Sequence, residues 1–127
     1  MQFQETIKID LPTIQAIKVN SKNKIKLLEN LLEEQKDKII RVLNSYDHFD
    51  GTLGEVHDCD IDEDSIRINK KGIGEFRVDF QVYYYFGCAD IDKEYEQEMN
   101  FIIEVNLNNQ DAEIIGEVWD ERQEDDF

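Results

Sequence analysis

From Glu75 to Phe86 the chain alternates without a break. Phe76, Val78, Phe80, Val82, Tyr84 and Phe86 hold one parity, and Glu75, Arg77, Asp79, Gln81, Tyr83 and Tyr85 hold the other. Successive side chains of a strand point to opposite faces, so this segment is a β-strand with one apolar face and one polar face. Met99, Phe101, Ile103, Val105 and Leu107 repeat the pattern, followed by Ala112, Ile114, Gly116 and Val118. Ser65-Ile66-Arg67-Ile68 is a shorter strand, joined to the long one by the turn Lys70-Lys71-Gly72. Asn108-Asn109-Gln110-Asp111 reads as a hairpin loop and Ala89–Glu98 as an acidic loop. Strands this close in sequence form an antiparallel meander.

An apolar sheet face needs a cover, and the period of the first 45 residues supplies one. Phe3, Ile7, Ile9 and Leu11 suggest a short first strand, which Pro12 ends or turns. Residues 13–19 read equally as a helical turn or a strand. Asn20 and Ser21 offer a helix N-cap. Beyond them, Ile25, Leu28, Leu32, Ile39 and Leu43 recur at spacings of 3, 4, 7 and 4, widened by Leu27, Leu31 and Ile40. That stripe predicts one long amphipathic helix of about six turns, ending near Asn44-Ser45. The expected fold is α+β, with one long helix packed on an antiparallel meander of four or five strands. A chain of 127 residues is a single domain, with a strand and helix over 1–50, the meander over 51–119 and an acidic tail over 120–127. A domain of this length buries roughly two-thirds of its unfolded surface and folds without metal or disulfide support.

Charge is distributed unevenly. The chain has 30 acidic and 14 basic residues, net −16. Residues 1–45 carry +2 and residues 46–127 carry −18. This excludes the basic footprint of a nucleic-acid binder and docking on an anionic lipid surface. Met1–Leu11 lacks an apolar signal core and no apolar run spans a bilayer, so a cytoplasmic protein is expected. Cys59 and Cys88 read as buried free thiols, with a bridge between neighbouring strands the less favoured alternative.

Catalytic patterns are missing. Ser21, Ser45 and Ser65 sit in no nucleophile elbow, and Gly72-Ile73-Gly74 opens a strand rather than a phosphate-binding helix. Asp58, Asp60 and Asp62 match the first three ligand positions of a calcium loop, but Glu63 replaces the turn glycine and Asn69 the bidentate glutamate. His48, His57, Cys59 and Cys88 are too scattered for a zinc centre. No cofactor, metal or enzymatic activity is expected.

The segment Glu75–Trp119 resembles a β-rich segment that follows nuclease-like PIN domains in some bacterial proteins. The residues that carry the likeness are Glu75-Phe76-Arg77-Val78-Asp79-Phe80, Cys88-Ala89-Asp90 and Asp111-Ala112-Glu113-Ile114-Ile115-Gly116-Glu117-Val118. The catalytic acids of a PIN domain belong to its upstream part, so no active-site residue carries over. The resemblance implies a non-catalytic accessory β module in a bacterial or phage setting.

What remains is electrostatics. A small domain needs a net charge of only ~2–8 for solubility, and this chain carries twice that. The expectation is an interaction protein, monomeric or homodimeric, that binds and inhibits or regulates a basic, nucleic-acid-handling protein such as a nuclease. Anti-restriction proteins, CRISPR inhibitors and immunity proteins act in this way. Asp58, Asp60, Asp62 and Asp64 would stand ~6.8 Å apart on one face of an extended segment, a comb of charges for a groove that binds phosphates. Glu94, Glu96 and Glu98 repeat the device. Tyr83, Tyr85 and Trp119, with Ile102 and Ile115, fall on the sheet face away from the helix. Either the N-terminal segment or a curl of the sheet covers them, or they form an aromatic docking patch. The alternative function is an accessory module whose sheet face pairs with a partner or with itself.

Overall fold

The computed structural model describes residues 2–49, 55–85 and 92–118. Five strands form one sheet: β1 (Gln4–Lys8), β2 (Glu55–Ile68), β3 (Ile73–Tyr85), β4 (Asp92–Asn106) and β5 (Asp111–Ile115). Every pairing is antiparallel and the spatial order is β1-β5-β4-β3-β2. The last four strands are the expected meander, and β1 closes onto β5 at its edge. Three helices follow β1 in the chain: α1 (Leu11–Lys18), α2 (Lys24–Glu34) and α3 (Lys36–Phe49).

The single long helix expected after Asn20-Ser21 is two, α2 and α3, and the segment left open between helix and strand forms a third, α1. Residues 11–18 are helical because Asp10 accepts the Thr13 N–H at 3.1 Å, and Pro12 sits in the first turn, where it sacrifices no hydrogen bond. Asn20 then takes a positive φ of 55° and the Ser21 N–H reaches back to the Ala16 carbonyl, which stops the helix. The longer stripe breaks at Gln35, in the gap between Leu32 and Ile39. A spacing of 7 is two helical turns, so it fits a continuous helix and an interrupted one equally well.

The core lies between these helices and one sheet face. Leu28, Leu31 and Leu32 of α2 and Ile39, Val42, Leu43 and Tyr46 of α3 are buried, as are Ile14 and Ile17 of α1. They meet Ile7 of β1, Ala112 and Ile114 of β5, Phe101 and Ile103 of β4, Phe76 and Val78 of β3, and Val56 and Cys59 of β2. Phe76 and Phe101 face each other in register and stack at 5.2 Å. Burying such a side chain contributes about 1.5–3 kcal/mol, so this interface dominates stability. Tyr46 pins its outer corner. Its hydroxyl accepts the Phe3 N–H at 3.2 Å and donates to the Glu117 carbonyl, and its ring meets Phe3 edge-on at 4.8 Å. Gly116 permits that contact, because a Cβ there would stand 2.6 Å from the tyrosine oxygen.

Both sheet edges are plugged by amide side chains from the helical layer. Gln35, free of the helix at its break, accepts the Lys8 N–H at 2.9 Å and donates to the Lys8 carbonyl at 2.7 Å. Asn44 treats Val56 alike, accepting its N–H at 2.7 Å and donating to its carbonyl at 3.0 Å. Lys24 donates to the Ile68 carbonyl at 2.8 Å. An open strand edge is a template for unwanted pairing, and these groups occupy it. Among the described residues, no helix is long and apolar enough to cross a membrane.

Two outcomes follow. Asn44→Ala leaves the Val56 N–H and carbonyl without their partner, so urea unfolding should show a loss of about 1–2 kcal/mol together with a concentration-dependent tendency to aggregate. Burial also pushes the Cys59 thiol from 9.0 up to about 12 and raises the Tyr46 phenol above 10.0. Both folded values exceed the unfolded ones, so the neutral forms favour folding. This contribution is complete below about pH 9 and is lost as pH rises toward 12. The urea midpoint should fall across that window, and less steeply in Cys59→Ala; a wild-type midpoint that stays flat contradicts the assignment.

Candidate docking face

With every helix on one side, the alternation of the strands sends their polar parity to the other. Asp60 and Asp62 of β2, Glu75 and Asp79 of β3, Glu96, Glu98 and Glu104 of β4, and Asp111 and Glu113 of β5 all project from this open face. Lys8, Arg67 and Arg77 are the cations among them. Nine carboxylates thus face three cations among the described residues of the face.

The register concentrates this charge. Asp60 is opposite Asp79, and Asp79 is opposite Glu98, so three carboxylates stand in one row across β2, β3 and β4. Adjacent strands are ~4.8 Å apart, and like charges directly opposite destabilise a sheet. Arg77 offsets the repulsion from the neighbouring row. Its Nη2 donates to Asp62 Oδ2 at 2.6 Å, while its Nε lies 3.4 Å from Asp79 Oδ1 and 3.5 Å from Glu98 Oε2. One guanidinium among Asp60, Asp62, Asp79 and Glu98 leaves the group strongly negative.

Beside the row runs an open trough of about 810 Å³, bordered by His57, Asp58, Asp60, Asp79, Gln81, Tyr83, Glu96 and Glu98. The Tyr83 ring stacks on His57 at 5.0 Å and its hydroxyl donates to Gln81 at 2.9 Å. His57 in turn lies 2.9 Å from Glu55. The trough therefore offers an aromatic floor and carboxylate walls, a setting that suits a guanidinium or ammonium group.

The expected four-tooth comb on β2 is not regular. The segment is extended, but the register shifts twice, between Val56 and Cys59 and between Asp62 and Arg67. At the first shift Asp58 accepts the N–H of Cys59 and approaches Lys36 of the helical layer at 3.5 Å. At the second, Ser65 donates to the Asp62 carbonyl and accepts the Arg77 N–H, while the Asp64 N–H turns onto Asp62 Oδ1. Only Asp60 and Asp62 keep the spacing on the open face. The acid repeat at 94–98, expected as a loop, lies within β4, and Glu96 and Glu98 are exposed there. The side chains of Tyr85 and Glu94, and Trp119 and Cys88 entirely, lie outside the described residues. β1 pairs in the plane of the sheet rather than covering the open face, and Ile102 remains 44% exposed.

Glu75 and Asp79, on the polar parity read from the alternation, and Glu104 and Glu113 belong to this face but were not singled out as docking residues, because the acids singled out were those clustered along the chain. Cross-strand register was the missing information. Cys59 and His57 point to opposite sides of β2, the thiol to the core and the ring to Tyr83. Among the described residues, no three His, Cys, Asp or Glu side chains are grouped to hold a metal ion.

Replacing Asp79 by Asn removes the central charge of the row and should raise stability by about 0.5 kcal/mol at low ionic strength, whereas Arg77→Met should lower it by about 1 kcal/mol. Urea titrations repeated in about 1 M salt, where the Debye length is ~3 Å, should shrink both differences. Salt-independent effects would mean that packing, not charge, governs the row. No protein-family model matches this chain, and neither a curated protein nor a solved structure does.

Proposed function

We propose that the protein is a non-enzymatic binding module whose open sheet face docks on a strongly basic, nucleic-acid-handling protein, such as a nuclease, and blocks or regulates its phosphate-binding groove. The observation that carries this reading is the segregation of charge: among the described residues of the open face, nine carboxylates stand against three cations, three of the carboxylates abreast in one cross-strand row. Repulsion within the row works against folding, which argues for a use beyond solubility. A field of this kind accelerates encounter with a basic surface and rejects acidic ones. The plugged edges at Lys8 and Val56 disfavour strand addition as the docking mode, so the face is the better candidate. The resemblance to the segment after PIN domains implies a non-catalytic accessory module, as this reading requires.

The test is affinity capture from the source cells with the full chain as bait, at low salt. Basic nucleic-acid-handling proteins should be retained, released by salt and displaced by duplex DNA. The triple variant Asp60→Lys, Asp79→Lys, Glu98→Lys should retain none of them. Equal retention by the variant, or retention indifferent to DNA, overturns the proposal.

A further inference from the structure

At the β2–β3 turn end of the same face, the carboxylates surround an apolar island. Ile73 is 51% exposed and Ile102 44%, and Ile115 lies directly opposite Ile102 on the next strand. Ile102 pairs with Glu75 and Ile73 with Glu104, so the two isoleucines are diagonal neighbours on adjacent strands. A hollow of about 490 Å³ opens beside them, bounded by Arg67, Asn69, Gly74 and Glu75. Glu75, Glu104 and Glu113 stand around the island. Scattered apolar residues on a surface need no explanation, but three at neighbouring positions of adjacent strands, ringed by charge, have the anatomy of a binding centre with a polar rim.

Resting on the acidic-face reading, we infer that this island is the anchor point of the interface. It receives an aliphatic side chain from a segment of the partner in which that residue is flanked by lysines or arginines. Charge complementarity selects this occupant over a second copy of the chain. Two such faces brought together would set nine carboxylates against nine, with three cations on each side among the described residues. A cationic segment instead matches Glu75, Glu104 and Glu113 on the rim, which outnumber Arg67 there, while its apolar residue removes Ile73 and Ile102 from water. The acids thereby govern encounter and the isoleucines govern residence.

Calorimetry with two lysine-rich synthetic peptides that differ only in a central Leu or Ser tests the inference on the full-length protein. The Leu peptide should bind about tenfold more tightly, the effect of burying one aliphatic side chain. Ile102→Thr, a substitution suited to an exposed strand position, should erase that preference while leaving affinity for the Ser peptide unchanged. Equal affinities for the two peptides in the wild-type protein, or a preference that survives Ile102→Thr, overturn the anchor and leave the acidic-face reading intact. Absence of salt-sensitive binding by the Ser peptide overturns both. A dimer seen by light scattering that dissociates in Ile102→Thr and ignores salt overturns the anchor by making a second copy its occupant.

Discussion

Everything in this molecule follows from one-sided burial. Strictly alternating strands present two unlike faces, and the residues ahead of the sheet form enough helix to cover one of them. Phe76, Phe101, Ile103 and Ile114 are sealed under α2 and α3. The face left in water therefore carries whatever the other parity contains. In this chain that parity is crowded with carboxylates, so the burial that makes the fold also makes the field. Charge and core cannot be separated, because they occupy alternate positions of the same strands.

Magnitudes explain why the fold tolerates this. A like-charge pair directly opposite costs about 0.2–1 kcal/mol, and the row Asp60–Asp79–Glu98 holds two such pairs. One buried aromatic or aliphatic residue on the reverse face contributes about 1.5–3 kcal/mol. The row is thus affordable, yet large enough to matter in a protein whose net stability is about 5–15 kcal/mol. Arg77 is placed where one cation reaches Asp62, Asp79 and Glu98 together, limiting the penalty without neutralising the face. The two register shifts in β2 act in the same direction. They turn Asp58 toward Lys36 and take Asp64 out of line, so edge-strand charge that would have crowded the row is spread away from it.

Strand character was legible because period 2 admits no helical reading, and β3 runs as its alternation requires. The helical layer was legible only as an amphipathic stripe. Its division was not, because the cause lies in tertiary structure: Gln35 ends α2 while its side chain plugs Lys8, a partner 27 positions away. The N-cap function of Asp10, three residues ahead of Thr13, was written in the sequence and overlooked beside Pro12. For the docking face, the segment Asp58–Asp64 drew attention as a linear cluster, yet the row that concentrates charge joins residues 60, 79 and 98. Composition reveals how much charge a chain carries. Register alone reveals where it meets.

The position of the apolar island bears on how such a face would discriminate. A purely acidic surface attracts every basic protein, since Coulomb forces reach across a Debye length and carry little shape information. Ile102 and Ile115 sit two same-face rows from the carboxylate row and Ile73 three, on the same sheet, so both features present themselves to a partner in fixed relation. A ligand that satisfies the charges but offers no side chain to the isoleucines leaves them in water. One that offers the side chain without basic flanks strands Glu75 and Glu104 against an uncharged surface, at a desolvation cost. Selectivity then arises from demanding both at once, and the sheet's pleat, with its fixed strand spacing, supplies the ruler.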